Sequence, residues 1–295
     1  MGRDRPSLTP YIYLSPVIVL SGIFVYWPLI YTFYLALVKW NLIAARRPFV
    51  GLDNFHGVFT SSLFADATWN TFLYIFGAIP LKVLLPLAVA VCVWMCAPRM
   101  AGIYKTMIFL PVLASFAAVA VIWLWLLNPI AGYFNILLHK VGLAMPNLLF
   151  DTRYALATVL GVSAWKILGF NTLLYLAGLT AINRDYAEAM RIDGANDRQI
   201  FRYLIWPLLT PTTMFVLITT VIFSVQQVFT PIDMMTKGGP SNATTNLFYM
   251  VYQLAFQTFN IGHGAAATVT LFGLLMTITV VKFRLLDRFV KYADR

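Results

Sequence analysis

The chain has 295 residues, 60% of them hydrophobic and 11% charged, with a mean hydropathy of +0.78. A water-soluble fold of that composition would lack the polar surface to cover itself, so the sequence reads as an all-α integral membrane protein with no room for a soluble catalytic domain. The net charge of +10, from 21 Lys and Arg against 11 Asp and Glu, is assigned to lipid headgroups and topology rather than to nucleic acid.

At the N-terminus Arg3 and Arg5 precede an apolar run from Tyr11 to Val38. That outline fits a secretory signal, but the run is too long and no small-x-small cleavage site closes it, so it is read as a retained first helix. A crossing helix needs about 20 mostly apolar residues, and hydropathy predicts six spans, at 10–38, 68–96, 106–127, 154–180, 207–231 and 264–286. Six spans leave both termini on one side, and the positive-inside rule selects the cytoplasm. Inner segments then hold Arg3, Arg5, Arg99, Lys105, Arg184, Arg191, Arg198, Arg202, Lys282, Arg284, Arg288, Lys291 and Arg295. Outer segments hold Lys39, Arg46, Arg47, Lys140, Arg153 and Lys237, of which Arg46 and Arg47 run against the bias, and Lys82 and Lys166 fall within spans.

Pro28, Pro80, Pro86 and Pro111 lie inside spans. Each removes a backbone donor and can kink its helix, the freed carbonyls being re-satisfied by neighbouring helices. Cys92 and Cys96 stand one helical turn apart in an apolar run and read as core residues, since that spacing neither clips a loop nor completes a metal site. The runs Tyr133 to Leu143 and Leu247 to Phe256 are too short to cross and are assigned to the membrane interface.

Several chemistries lack their residues. No G-x-x-x-x-G-K-[ST] phosphate cradle occurs, so any energy source lies on another chain. Gly262, Gly264 and Ala267 spell G-x-G-x-x-A without a preceding strand, and close helix packing by small residues is the plainer reading. His56, His139 and His263 are scattered, which leaves no metal centre, and the Asn242-Ala243-Thr244 triplet is a common chance match to a glycosylation acceptor. The acids, Asp4 through Asp294, sit in loops or at span ends. Proton-coupled carriers usually relay through intramembrane acids, so that class is disfavoured, as is an intramembrane aspartyl protease. No catalytic residue is assigned.

The stretch Ala181 to Trp206 is the one sizeable inner loop and reads as two short helices with a break. Asp185 with Glu188 is a capping pair for the first helix, which runs through Ile192 to a stop at Gly194. Asn196 with Gln199 caps the second, which carries Ile200, Phe201, Leu204 and Ile205 on one side, and Pro207 marks the boundary with the next span. Such a pair is either a solvated connector holding headgroups through Arg184, Arg191, Arg198 and Arg202, or a rigid docking knob for a soluble partner.

Glu188-Ala189-Met190, three residues, Gly194, nine residues, then Leu204-Ile205-Trp206-Pro207 resembles the EAA loop of ABC importer permeases, with Met190, Leu204 and Trp206 in place of that pattern's Ala, Ile and Leu. Further strings are similar to the carbohydrate branch, the maltose-permease-like and glycerol-3-phosphate-permease-like subunits. They are Phe49-Val50-Gly51-Leu52-Asp53-Asn54-Phe55; Phe109-Leu110-Pro111 with Trp123, Pro129, Gly132 and Asn135; Leu176-Ala177-Gly178-Leu179; and Gly238-Gly239-Pro240. The resemblance implies a permease fold over 1–295 as a single membrane domain in the bacterial cytoplasmic (inner) membrane, with 181–206 as its coupling loop. It implies as partners a second, unlike permease, two ATPase subunits and an extracytoplasmic solute-binding protein, with ATP and Mg on the ATPase and no cofactor in this chain. Glu188, Ala189, Asp193, Gly194, Leu204 and Pro207 would then serve coupling.

Polar groups inside spans turn toward a bundle interior, which makes Lys166, Asn171, Gln226 and Gln227 candidates for a solute path, against helix-to-helix hydrogen bonding as the plain alternative. The family often has Gln at the position of Gln227, but Asp where this chain has Thr230. A cationic Lys166 would suit an anionic solute, or would satisfy a backbone carbonyl. The sequence therefore points to a non-catalytic permease subunit for a sugar or sugar-like solute. Two alternatives stand beside it: a permease for glycerol-3-phosphate or another anionic sugar-like solute, and a membrane scaffold or enzyme whose loop docks a non-ATPase partner.

Overall fold

The computed structural model describes residues 9–96 and 101–289. Arg3, Asp4, Arg5, Arg99, Lys291, Asp294 and Arg295 lie outside the described residues, as do the side chains of Cys96, Arg184, Lys282, Asp287 and Arg288.

The described chain is helical, as a backbone that must satisfy its own polar groups in lipid requires. Five helices are long and apolar enough to cross a membrane: α1 (Tyr11–Leu35), α3 (Ser62–Met95), α7 (Ala155–Thr180), α9 (Asp197–Thr236), and the Ile261–Val280 part of α11 (Ile261–Phe289). Shorter helices are α2 (Asp53–Phe59), α4 (Ala101–Leu113), α5 (Phe116–Leu126), α6 (Tyr133–Lys140), α8 (Arg184–Ile192) and α10 (Leu247–Tyr252).

The expected span at 106–127 is not one helix. It is the pair α4 and α5, bent by 95° at a short break, so the count reaches six only if the pair is one span. Pro111 lacks the N–H that would continue the ladder, and Ser115 starts a new helix by accepting from the Ala118 N–H through its hydroxyl at 3.1 Å. Three other prolines follow widened π turns. Gly22–Tyr26 precedes Pro28, Pro80–Leu84 precedes Pro86, and Phe201–Ile205 precedes Pro207. Pro207 is thus no boundary: the Trp206 N–H reaches back five residues to the Phe201 carbonyl, and α9 continues from the loop into the span.

Packing divides the chain into two units. The first comprises residues 1–61 and 250–274. Its latch is Asn54, buried, whose Nδ2 donates to the carbonyls of Ala36 and Val38, both at 2.9 Å. Gly262 packs where a Cβ would meet the Val38 carbonyl oxygen at 2.6 Å, so the G-x-G-x-x-A string serves close packing. Arg47 lies 3.8 Å over the Trp40 ring and donates to the Tyr31 hydroxyl at 2.7 Å, so it has local partners. The apolar window of α1 has no buried residue within the chain.

The second unit comprises 62–249 and 275–295. One core joins Val83, Leu87 and Ala90 of α3, Tyr175, Leu176 and Leu179 of α7, and Ile205, Leu209 and Val216 of α9. Cys92, expected in a core, is exposed, because the α3 face that packs on α7 carries Leu87, Ala90 and Val93 instead. A second core gathers Val119, Ala120, Leu127, Leu149, Val162 and Met235. The segment after α9 is an ordered loop: Thr244, Thr245 and Asn246 are fully buried, and Asn70 of α3 donates to the carbonyls of Asn242 and Thr245 at 2.9 Å each. Thr244, the third residue of the glycosylation triplet, is sealed there by Thr236 at 2.7 Å and the Gly239 carbonyl at 3.0 Å. Leu247 and Tyr249 are likewise buried, so that run begins in the interior and not at an interface.

Candidate functional site

Two features stand apart from plain helix packing. The first is the 181–206 segment. Its opening cap differs from the expected one: Asn183, not Asp185, is the N-cap, its Oδ1 accepting from the Asp185 N–H at 3.1 Å and its Nδ2 donating to the Asp185 carboxylate at 3.0 Å. The close follows the sequence. Gly194 sits at φ +84°, where an L side chain is strained, and lets the Gly194 N–H bond the Arg191 carbonyl at 3.0 Å and the Ala195 N–H bond the Met190 carbonyl at 2.9 Å. Asn196 and Gln199 form the expected reciprocal box, at 2.8 and 2.9 Å. Arg191 and Asp197 pair across the break at 3.2 Å, both exposed.

This geometry makes a capped two-helix knob with two faces. Ala187 and Ile200 are buried in the core of the second unit, and Met190, Ala195, Phe201 and Leu204 pack against it. The opposite face exposes Tyr186, Glu188, Ala189, Asp193, Gly194 and Ile192, the last at 87%. An apolar Ile at that exposure beside a carboxylate is poor as solvated surface and good as the tooth of a docking contact. Pro207 is exposed one turn beyond, while Leu204 is half-buried.

The second feature is a polar cluster shared by α3, α7 and α9. Lys82, at 1% exposure, donates through Nζ to Ser163 Oγ at 2.9 Å and Gln227 Oε1 at 3.3 Å. Its own carbonyl accepts from Asn171 Nδ2 at 2.6 Å. In a regular helix that carbonyl would pair with the N–H of residue 86, but residue 86 is proline and has none. Asn171 and Gln227 also line a cleft of about 170 Å³ between α7 and α9, with Phe170, Phe215, Thr219 and Thr220.

Of the four path candidates, the structure therefore brings Asn171 and Gln227 together and separates the other two. Gln226 is exposed on another side of α9. Lys166 donates to the Val112 carbonyl at 3.2 Å and lies 4.5 Å over the Phe116 ring, so it ties the two halves of the bent pair and does not enter the cleft. Sequence pattern alone does not single out Ser163, and the signal it offers for Lys82 is a lysine between Pro80 and Pro86 in the middle of a span.

Long apolar helices that share buried polar groups around a small cleft, with a capped, exposed knob at one end, define a membrane transport component. Residues 7–292 match the family described as "Binding-protein-dependent transport system inner membrane component", and the chain belongs to it. It is thus a multi-pass inner-membrane component of an ABC importer, a transport permease and not an enzyme. Similar relatives are two proteins named sn-glycerol-3-phosphate transport system permease protein UgpA. That of Agrobacterium fabrum is 31% identical over 289 residues, with 97% of each chain covered. That of Escherichia coli strain UTI89 is 32% identical over 296 residues, covering 99% of this chain and 100% of the relative. A bacterial ABC transporter involved in the import of the acidic polysaccharide alginate shares the fold, with a TM-score of 0.85 at 23% identity over 96% of both chains. A second structure of an alginate ABC transporter, in complex with alginate pentasaccharide-bound periplasmic protein, gives a TM-score of 0.82 at 23% identity, covering 96% of this chain and 95% of that one.

Proposed function

We propose that the chain, acting as one membrane domain over 1–295 with both termini in the cytoplasm and the bent pair counted as the third of six spans, forms half of the path of an ATP-driven importer for a sugar or sugar-like solute. A second, unlike permease supplies the other half. Two ATPase subunits, which carry the ATP and Mg, grip the 181–206 knob, and an extracytoplasmic binding protein delivers solute. The observation that carries this reading is the knob itself: each of its two helices has a side-chain N-cap, Gly194 closes the first, one face is buried, and the second is continuous with α9, so a displacement of the knob passes into that helix. ATP-driven movement of the knob would rock α7 and α9 and turn the Asn171–Gln227 cleft from one side of the membrane to the other.

A second reading, a glycerol-3-phosphate or other anionic sugar-like solute, is favoured by the names of the relatives and by the buried Lys82. The test of coupling is the double substitution Glu188→Lys with Gly194→Asp. It is expected to weaken ATPase-subunit association by about tenfold or more, roughly 1.4 kcal/mol, and to lower uptake to match, with the protein still inserted in the membrane. Unchanged co-purification and unchanged uptake would refute coupling through this knob.

A further inference from the structure

Lys82 is the least expected residue in the chain. An ionised side chain in the middle of an apolar helix is costly and is ordinarily offset by a carboxylate. Here it has none: among the described residues the one ion pair is Arg191–Asp197, on the exposed knob. Both of its acceptors, the Ser163 hydroxyl and the Gln227 amide oxygen, are neutral, and they engage two of the three donors of an ammonium.

The chemistry of these bonds fixes two cleft amides. Lys82 Nζ donates to Gln227 Oε1, which leaves the Gln227 NH2 as the polar group available to the cleft. A carbonyl only accepts, so Asn171 must turn Nδ2 to the Lys82 backbone, which leaves Oδ1 available. The cleft thereby has one assigned donor and one assigned acceptor, with the hydroxyls of Thr219 and Thr220 and the rings of Phe170 and Phe215 around them. Lys82 Nζ lies behind the donor, 3.3 Å from Gln227 Oε1. A hydroxyl can donate to Asn171 while a charged oxygen accepts from Gln227.

We propose that Lys82 is the positioning residue that sets the charge class of the solute: it orients Gln227 and Asn171 and, held as an ammonium by the counter-charge that the solute itself supplies, it selects an anionic polyol, a sugar-like molecule bearing phosphate or carboxylate. This rests on the reading of the cleft as part of the solute path. Lys82 acts through the Gln227 amide: Nζ lies 3.3 Å from Oε1, and the width of the amide plus one further hydrogen bond of about 3 Å puts a solute charge roughly 8 Å from Nζ. At an effective dielectric of about 20, loss of the ammonium then lowers selection for the anion about thirtyfold.

The assembled importer, with its partner permease, ATPase and binding protein, is reconstituted in proteoliposomes and assayed for uptake of labelled sn-glycerol-3-phosphate and of maltose as the neutral probe. Lys82→Met is expected to cut kcat/KM for the phosphate ester about thirtyfold relative to its effect on the neutral probe. Gln227→Glu, which puts a carboxylate beside the ammonium without removing it, is the second variant, in case the first yields no complex. It is expected to abolish the preference for the anion by at least tenfold. Equal loss for both probes in Lys82→Met, or wild-type selectivity in Gln227→Glu, would make Lys82 a structural tie and overturn the proposal. A wild-type importer that carries only maltose overturns it and leaves the sugar-importer reading standing. One that carries neither probe, nor any other polyol bound by its binding protein, overturns both.

Discussion

Replacing Lys166 with methionine separates a solute-binding lysine from a structural one. The substitution keeps the apolar stem and deletes the ammonium, and with it two contacts at the bend: donation to the Val112 carbonyl at 3.2 Å in α4 and the approach to the Phe116 ring at 4.5 Å in α5. A hydrogen bond from a charged group contributes about 1.5–3 kcal/mol, and a desolvated cation over an aromatic face about 0.5–2 kcal/mol. The Val112 carbonyl lies at the end of a helix that stops at Leu113, so no backbone N–H one turn on in the same helix replaces the lost donor. Lys166→Met is therefore expected to lower stability by about 2–4 kcal/mol. Equilibrium unfolding in mixed micelles measures this, with tryptophan fluorescence as the probe: the rings of Trp123 in α5 and Trp165 in α7 meet edge to face at 5.5 Å beside the junction. Solute preference should stay as in the wild type, because Lys166 lies outside the cleft. An unchanged unfolding midpoint together with an altered solute preference would refute the argument and return Lys166 to the path.

Two further substitutions test the local readings. Asn183→Ala should cost about 1 kcal/mol by removing the true N-cap of α8, while Asp185→Ala should cost a few tenths; thermal unfolding of the two variants side by side decides, and the reverse order would reinstate Asp185 as the cap. Asn70→Ala strips the donor from the buried Thr245 carbonyl and the half-buried Asn242 carbonyl, and is expected to destabilise by about 1–3 kcal/mol. Limited proteolysis between 236 and 246 should become faster, and wild-type resistance there would show that the loop does not depend on the latch.

The features legible in the sequence are those with short range. The Gly194 stop and the Asn196–Gln199 box are readable because their partners lie within five residues and the residue types are nearly specific to the geometry. The apolar spans are readable for the same reason, as each helix satisfies its own backbone. What escaped reading depends on partners far along the chain. Hydropathy sees one span at 106–127 because both halves are apolar; Pro111 and the Ser115 cap mark the break locally, but the tie across it comes from Lys166, 54 positions from Val112. Asp185 and Asn183 are both good caps by type, and only the backbone, extended at Asn183 (φ −63°, ψ 127°), chooses between them. Cys92 looks like core by composition, yet in a helix apolar all round nothing in the sequence says which face meets a neighbour.

The two intramembrane lysines, equal by hydropathy, are distinguished by what the backbone does around them. At Lys166 the side chain is the donor that a broken helix lacks: α4 ends, its last carbonyls are orphaned, and the ammonium comes from α7 to meet one of them. At Lys82 the relation is reversed. Pro86 has no N–H to offer the carbonyl of the lysine itself, and Asn171 of α7 donates to that carbonyl at 2.6 Å. The backbone debt of α3 is thus settled without the Lys82 ammonium, which remains available to orient Gln227 on α9. One missing N–H in α3 therefore fixes an amide on α7 and leaves a charge facing an amide on α9, and both amides line the same cleft. A lysine that had to cap its own helix could not do this, which is why the proline and the lysine in α3 have to be read together.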